Sequence, residues 1–191
     1  DEDKQVLLNS SNTEKIILFA PTFSPSLTSA RFLSSQIEEL AANKNYLIII
    51  KFHDLMAKDL IDQYQEIANK FVNVLYIKER NIIKYLLIAD LMISDTSSVV
   101  YEFLLLDKPV ITFKNYNKIS HCENLLTPSN LVQKVAENLK DDSFKEKRAV
   151  ILKDYHPYTD GKSAIRMVNA VETFIENKGV PEKRVISWFR R

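Results

Sequence analysis

From Ser94 to Glu102 the chain reads Ser-Asp-Thr-Ser-Ser-Val-Val-Tyr-Glu, a hydroxyl-rich turn set between a short apolar run, Leu91 to Ile93, and an amphipathic stretch. Residues of these types suit the binding of an anion. Ser94 to Ser98 offer several helix N-caps in succession, and the free N–H groups of a helix starting near Ser97 would meet phosphate or carboxylate with positive partial charge. The hydroxyls of Thr96, Ser97 and Ser98 would add to them, and Glu102, one turn on, would accept hydrogen bonds from a sugar or polyol. Asp95 lies beside that anion site and is better suited to bracing the turn through backbone N–H groups, or to holding a cation. An ordinary capped helix, its hydroxyls spent on its own backbone, is the plain alternative.

Three further polar groups follow apolar runs: Pro21-Thr22, His53, and the Lys114 to Tyr116 segment. His53 follows a lysine and could cap the next helix, contact phosphate, or transfer a proton, as histidines do near neutral pH. His121 and Cys122 have no second metal-ligand pair at suitable spacing, so no metal site is expected there. The chain has only two glycines, Gly161 and Gly179. Neither a Gly-x-Gly-x-x-Gly fingerprint nor a Walker loop can be built from them, so phosphate must be held by helix ends, hydroxyls and cations.

The elements that would carry these groups alternate. Continuous apolar runs at Lys15 to Ala20, Tyr46 to Phe52, Val72 to Ile77, Leu91 to Ser94 and Pro109 to Phe113 read as strands buried on both faces. Between them, Leu33, Ile37, Leu40 and Ala41, then Leu60, Tyr64, Ile67, Ala68 and Phe71, recur at helical spacing, and Asn81 to Ala89 and Val99 to Leu106 form shorter helices. This predicts an α/β chain, a Rossmann-like parallel sheet with helices on both faces, whose ligand sits beyond the carboxyl ends of the strands. Residues 1–14 read as a linker or frayed lead-in, 15–178 as the domain, and 179–191 as a tail of mixed cations and apolar residues. Lys114 to Leu126 reads as irregular; helices are expected over Pro128 to Leu139, over Ser143 to Leu152 and from Ala164.

Composition narrows the function classes. With 26 basic and 25 acidic residues the net charge is +1, which supplies no electrostatic case for nucleic acid, and no basic stripe or nucleic-acid motif occurs. One cysteine, Cys122, excludes an internal disulfide framework. No run approaches the roughly 18 apolar residues of a membrane span, and the acidic Asp1-Glu2-Asp3 is unlike a signal peptide. The missing initiator methionine and polar start lead us to expect a piece of a larger protein.

Read together, Phe19-Ala20-Pro21-Thr22-Phe23, Ile50-Lys51-Phe52-His53, Ala89 to Ser98, Lys108 to Phe113 and Asp160-Gly161 resemble the CDP-glycerol glycerophosphotransferase family, over about Lys15 to about Ala170. These enzymes build poly(glycerol phosphate) teichoic acids and related capsule polymers. The resemblance implies a GT-B enzyme of two Rossmann-like domains, this chain being the C-terminal, donor-binding half. It implies that Thr96, Ser97 and Ser98 hold the pyrophosphate of CDP-glycerol or a related nucleotide-activated donor, with Thr22 in the same crevice. His53 would contact the phosphates or assist departure of CMP, and Asp95 and Glu102 would lie near the nucleotide or glycerol. The partners implied are a polymer or lipid-linked acceptor and the N-terminal domain, which in the family carries the acceptor-activating histidine. No cofactor or metal is implied, the chain alone would bind without turnover, and the whole enzyme would sit in the cytoplasm on the inner face of the plasma membrane.

Family members commonly have proline after the Lys-x-His histidine and tyrosine in the Asp-x-Ser-Ser turn; here Asp54 and Thr96 stand there. The competing readings are a GT-B transferase or epimerase using a UDP-sugar, and a non-catalytic nucleotide-binding domain. A phosphoacceptor domain built on Asp95 is disfavoured, because Ala20-Pro21-Thr22 replaces the paired acids expected after the first strand.

Overall fold

A computed structural model describes residues 2–115, 121–158 and 160–180, and the chain divides into two units, Asp1–Asp154 and Tyr155–Arg191. In the first unit, β1 (Lys15–Phe19), β2 (Tyr46–Lys51), β3 (Val74–Ile77), β4 (Leu91–Ser94) and β5 (Val110–Phe113) form where the apolar runs place them. With β6 (Glu123–Leu125) they make one parallel sheet in the order β3-β2-β1-β4-β5-β6. Lys15 pairs with Tyr46 and Ile17 with Leu91, so β1 is central and its two neighbours come from distant parts of the chain.

Strand periodicity divides the core in two. Ile17, Phe19, Ile48, Ile50, Leu91 and Ile93 point to one face, where they meet α2 (Ala30–Ala42), α3 (Lys58–Lys70) and α6 (Leu131–Lys140) through Leu33, Tyr64 and Leu131. Ile16, Leu18, Leu47, Ile49 and Met92 point to the other, against α4 (Ile83–Ile88) and α5 (Val99–Leu104). Both faces are thus covered, which is why the strands are apolar without alternation.

Two expectations fail. Residues 1–14, read as a linker, contain α1 (Glu2–Ser11), which buries Leu8 in the second cluster. Asp90 fastens it, accepting from Lys4 Nζ at 2.6 Å and from the Ile16 N–H at 2.8 Å. The segment Lys114 to Leu126, read as irregular, contributes β6, paired in register with β5 from Ile111–Glu123 to Phe113–Leu125. Asn124 completes that edge: its Oδ1 accepts from Thr112 Oγ1 and the Asn115 N–H, and its Nδ2 donates to the Asn115 carbonyl.

A further helix, α7 (Lys145–Tyr155), follows a turn. Its Arg148 is buried and holds Asp107 and Asp142. Close by, the ring of His121 lies 6.1 Å from that of Tyr101, is 3% exposed, and has neither nitrogen hydrogen-bonded among the described residues. Burial, with the Arg148 charge adding repulsion, pushes its pKa below the ordinary histidine value. In the unfolded chain the same ring takes a proton near about 6.5. The stability it lends is therefore complete above that pH and is lost as pH falls below it toward the depressed folded value. His121→Leu is expected to flatten the pH dependence of the urea midpoint between about pH 7 and 5; a slope unchanged by the substitution would assign the effect to other groups.

The second unit contains α8 (Ser163–Lys178). Asp160, before Gly161 (φ 70), accepts from Nη1 and Nη2 of Arg166 at 2.8 and 2.6 Å, which hold its carboxyl down at about 2. Most of the tail, residues 181–191, lies outside the described residues.

Candidate functional site

The sheet order changes direction between β1 and β4, and there the connections leave on opposite sides and open a crevice at the strands' carboxyl ends. A cleft occupies it. Ala20 and Pro21 line it from the end of β1, Lys51, Phe52 and His53 from the end of β2, Arg80 and Ile82 from the β3–α4 connection, and Ser97, Ser98, Val99 and Glu102 from the start of α5. At about 200 Å³ it is smaller than the roughly 300–1,000 Å³ of complete small-molecule sites. It is large enough for phosphate groups and open on one side.

Of the residues singled out from sequence, His53, Ser97, Ser98 and Glu102 line this cleft, while Thr22, Asp95 and Thr96 do not. Asp95 instead lies beneath it, with no exposed surface. Its carboxylate accepts from the Thr22 N–H (2.9 Å), the Ser29 N–H (2.7 Å), Ser29 Oγ (2.8 Å) and the Ser97 N–H (3.2 Å). The β1 loop, the start of α2 and the β4 turn therefore share one anchor. Burial pushes the Asp95 carboxyl above its ordinary range, and the bonds from Ser29, Thr22 and Ser97 pull it back. Thr22 contributes its backbone rather than its hydroxyl to this arrangement.

Ser94 Oγ is also spent on bracing, donating to the Ala20 carbonyl at 2.7 Å. Ser98, the N-cap of α5, makes no side-chain capping bond. Its hydroxyl is not committed to its own helix as the plain capped-helix reading requires. The helix is only six residues long, shorter than the Val99 to Leu106 expected, so side chains rather than a long dipole must supply most of the positive character here.

Two cations supply it. Lys51 closes β2 in the register that buries Leu47 and Ile49 in the second core cluster, so its stem is buried while its ammonium donates to the Phe52 carbonyl at 2.7 Å. Burial pushes its pKa below the ordinary lysine value, against the pull of Asp54 and Glu79. Arg80 stands at the cleft mouth, paired with Asp54 at 2.7 Å. Neither residue was among those expected from the sequence, although a lone lysine in an isoleucine strand was a readable signal for Lys51. Arg80 follows the third strand, the one strand end left out of the expected crevice.

His53 is fixed from two sides. Its ring stacks on Phe23, centroids 4.6 Å apart, and its Nδ1 accepts the Leu55 N–H at 3.1 Å. With Nδ1 occupied as an acceptor, the neutral ring carries its proton on Nε2 and offers it as a donor. After the fifth strand, Lys114 does not reach the cleft: its Nζ lies 4.3 Å over the Phe32 ring and 5.3 Å from that of Phe113. Tyr116 lies outside the described residues. No cluster of metal-ligating side chains occurs among the described residues, and no helix among them is long and apolar enough to cross a membrane.

The likeness to known proteins agrees with this architecture. The chain is 29% identical over 172 residues to the teichoic acid ribitol-phosphate polymerase TarL of Staphylococcus aureus, covering 81% of this chain and 30% of TarL. It is 25% identical to the teichoic acid glycerol-phosphate primase of Bacillus subtilis, covering 91% and 48%. It therefore spans less than half the length of these relatives. Among solved structures, the wall teichoic acid polymerase TagF, in a variant soaked with CDPG, superposes with a TM-score of 0.64 at 18% identity over 95% of this chain and 47% of TagF. The UDP complex of Staphylococcus aureus MnaA superposes equally well, TM-score 0.64 at 14% identity, over 93% of this chain and 50% of MnaA. The fold is thus one Rossmann-like half of the GT-B architecture. With the family model matching residues 3–173, the chain belongs to the CDP-Glycerol:Poly(glycerophosphate) glycerophosphotransferase family.

Proposed function

We propose that this chain is the donor-binding domain of a glycerophosphotransferase that moves glycerol phosphate from CDP-glycerol, or a related nucleotide-activated alcohol, to a growing cell-surface polymer and releases CMP. One observation carries the reading: Lys51, His53, Ser97 and Ser98 meet at the switch point between β1 and β4, where a pyrophosphate would fit. An acceptor hydroxyl oxygen attacks the β-phosphorus and the bond from that phosphorus to the CMP oxygen breaks. The acceptor proton passes to a base outside this chain. Lys51 balances charge on the departing phosphate, the His53 Nε2–H donates to a phosphate oxygen, and the two serine hydroxyls orient it. Glu102 faces the same cleft and accepts from the sugar or glycerol hydroxyls. The acceptor is a polymer or lipid-linked oligomer, so the whole enzyme works at the cytoplasmic face of the plasma membrane.

Titration calorimetry with CDP-glycerol, CMP, UMP and UDP-N-acetylglucosamine tests this. Cytidine-selective binding is expected, weakened about tenfold by Ser97→Ala or by His53→Ala, the scale of one hydrogen bond to a charged group. A preference for uridine would replace the reading with a UDP-sugar enzyme, in keeping with the equal likeness to MnaA. Tight binding indifferent to both substitutions would move the phosphate elsewhere.

A further inference from the structure

Asp54 occupies the position directly after the cleft histidine, and Arg80, which lines the cleft, lies within the β3–α4 connection, so the two approach from separate loops. Arg80 Nε and Asp54 Oδ2 approach to 2.7 Å as an ion pair. Both side chains are open to water, Arg80 at 89% exposure and Asp54 at 43%, and exposed pairs of this kind are among the weakest ion pairs. The neighbouring acid, Glu79, is engaged with Lys84 at 2.9 Å and does not compete for Arg80. Asp54 also bears on Lys51, together with Glu79, so the Asp54 carboxylate acts on both cations of the cleft. Both cations on which Asp54 acts, Arg80 through the ion pair and Lys51 through space, line the cleft.

We propose that Asp54 and Arg80 form an exchangeable latch, in which an incoming diphosphate displaces the Asp54 carboxylate and Arg80 turns its planar guanidinium onto the phosphate oxygens. This rests on the proposed donor site and adds to it a specificity residue, Arg80, and an internal competitor, Asp54. A diphosphate carries more charge than one carboxylate and presents oxygens at the spacing of the guanidinium fork, so the exchange favours it. A ligand with one weak negative charge gains no such advantage. The latch therefore discriminates against monoanionic cytosolic metabolites.

The test is titration of the 191-residue chain with CDP-glycerol and with inorganic pyrophosphate, for wild type, Asp54→Asn, Arg80→Ala, Arg80→Lys and the Asp54→Asn/Arg80→Ala double variant. Asp54→Asn is expected to tighten binding about twofold to fivefold, the worth of an exposed pair. Arg80→Ala should weaken it about tenfold or more, with Arg80→Lys between, because it keeps the charge and loses the fork. In the double variant the gain from Asp54→Asn should fall below about twofold, since the carboxylate then has no arginine to release. The latch is overturned by Arg80→Ala binding like wild type, by Asp54→Asn failing to tighten binding, or by an undiminished gain in the double variant. Wild type that binds neither ligand overturns the donor site and the latch together, whereas wild-type binding with unresponsive variants removes the latch alone.

Discussion

Asp95→Ala is expected to lower the unfolding free energy by about 3–5 kcal/mol, the cost of leaving several buried donors without their shared acceptor. The carboxylate is fully buried and receives four hydrogen bonds from three separate segments. Without it, the N–H groups of Thr22, Ser29 and Ser97 lose an acceptor in a place water does not readily reach, at about 1–3 kcal/mol for each group left unsatisfied. These penalties overlap because the loops relax together, so the total stays below their sum. Asp95→Asn keeps one acceptor oxygen and should lose about half as much. Urea denaturation reads both. A loss under about 1 kcal/mol for the alanine variant would show that the three segments hold their places without the anchor. Donor binding should disappear in the alanine variant even at temperatures where it remains folded, because Ser97 and the β1 loop would no longer be set against each other.

Arg148→Ala comes next, with an expected loss of about 3 kcal/mol. Its guanidinium gives Nη1 to Asp142 at 2.7 Å and Nη2 to the same carboxylate, while Nε and Nη2 reach Asp107 Oδ1 at 3.3 and 3.1 Å. It thereby ties α7 to the tight turn after α5, where Asp107 has a φ of 51°. The arginine is wholly buried, but Asp107 keeps 47% of its side chain exposed and Asp142 21%. Both carboxylates can rehydrate once the arginine is gone, which places the loss at the lower end of the range for broken buried pairs. Arg148→Met, retaining most of the apolar stem, should lose about 1–2 kcal/mol. If methionine proves as damaging as alanine, the charge rather than the packing is what holds α7. Either substitution also removes the repulsion that Arg148 exerts on His121, so the acid sensitivity assigned to that histidine should narrow.

The apolar strands declared the sheet. Lys15 to Phe19 and Tyr46 to Lys51 are too uniformly apolar for anything but a strand covered on both faces, and the helical stripes between them leave parallel pairing as the simple solution. β6 was not legible, because of its three residues Glu123, Asn124 and Leu125 only the last is apolar; what makes it a strand is the edge offered by β5. α1 was hidden for a similar reason, its polar sequence giving little beyond Leu8 to bury and its hold on the fold coming from Asp90, far along the chain. In the site, Ser97, Ser98 and His53 were visible because they follow strands closely, and Glu102 because it lies one turn into the helix that the serines open. Arg80 was not, since its relevance depends on β3 lying beside β2, a fact of sheet order rather than of local pattern. Thr96 and Thr22 looked like ligand contacts by type, yet neither lines the cleft, and Thr22 enters the arrangement through its backbone N–H to Asp95.

The Asp95 anchor also bears on the order in which the chain assembles. Its partners at Thr22 and Ser29 are 73 and 66 residues away in sequence, and the intervening chain contains three whole strands and three helices. Closing such long loops is entropically slow, and these bonds gain nothing until β1 and β4 are already side by side. The cleft is therefore a late product of folding: a nascent or partly folded chain has no half-made version of it, and whatever the cleft binds can bind only once the core is complete.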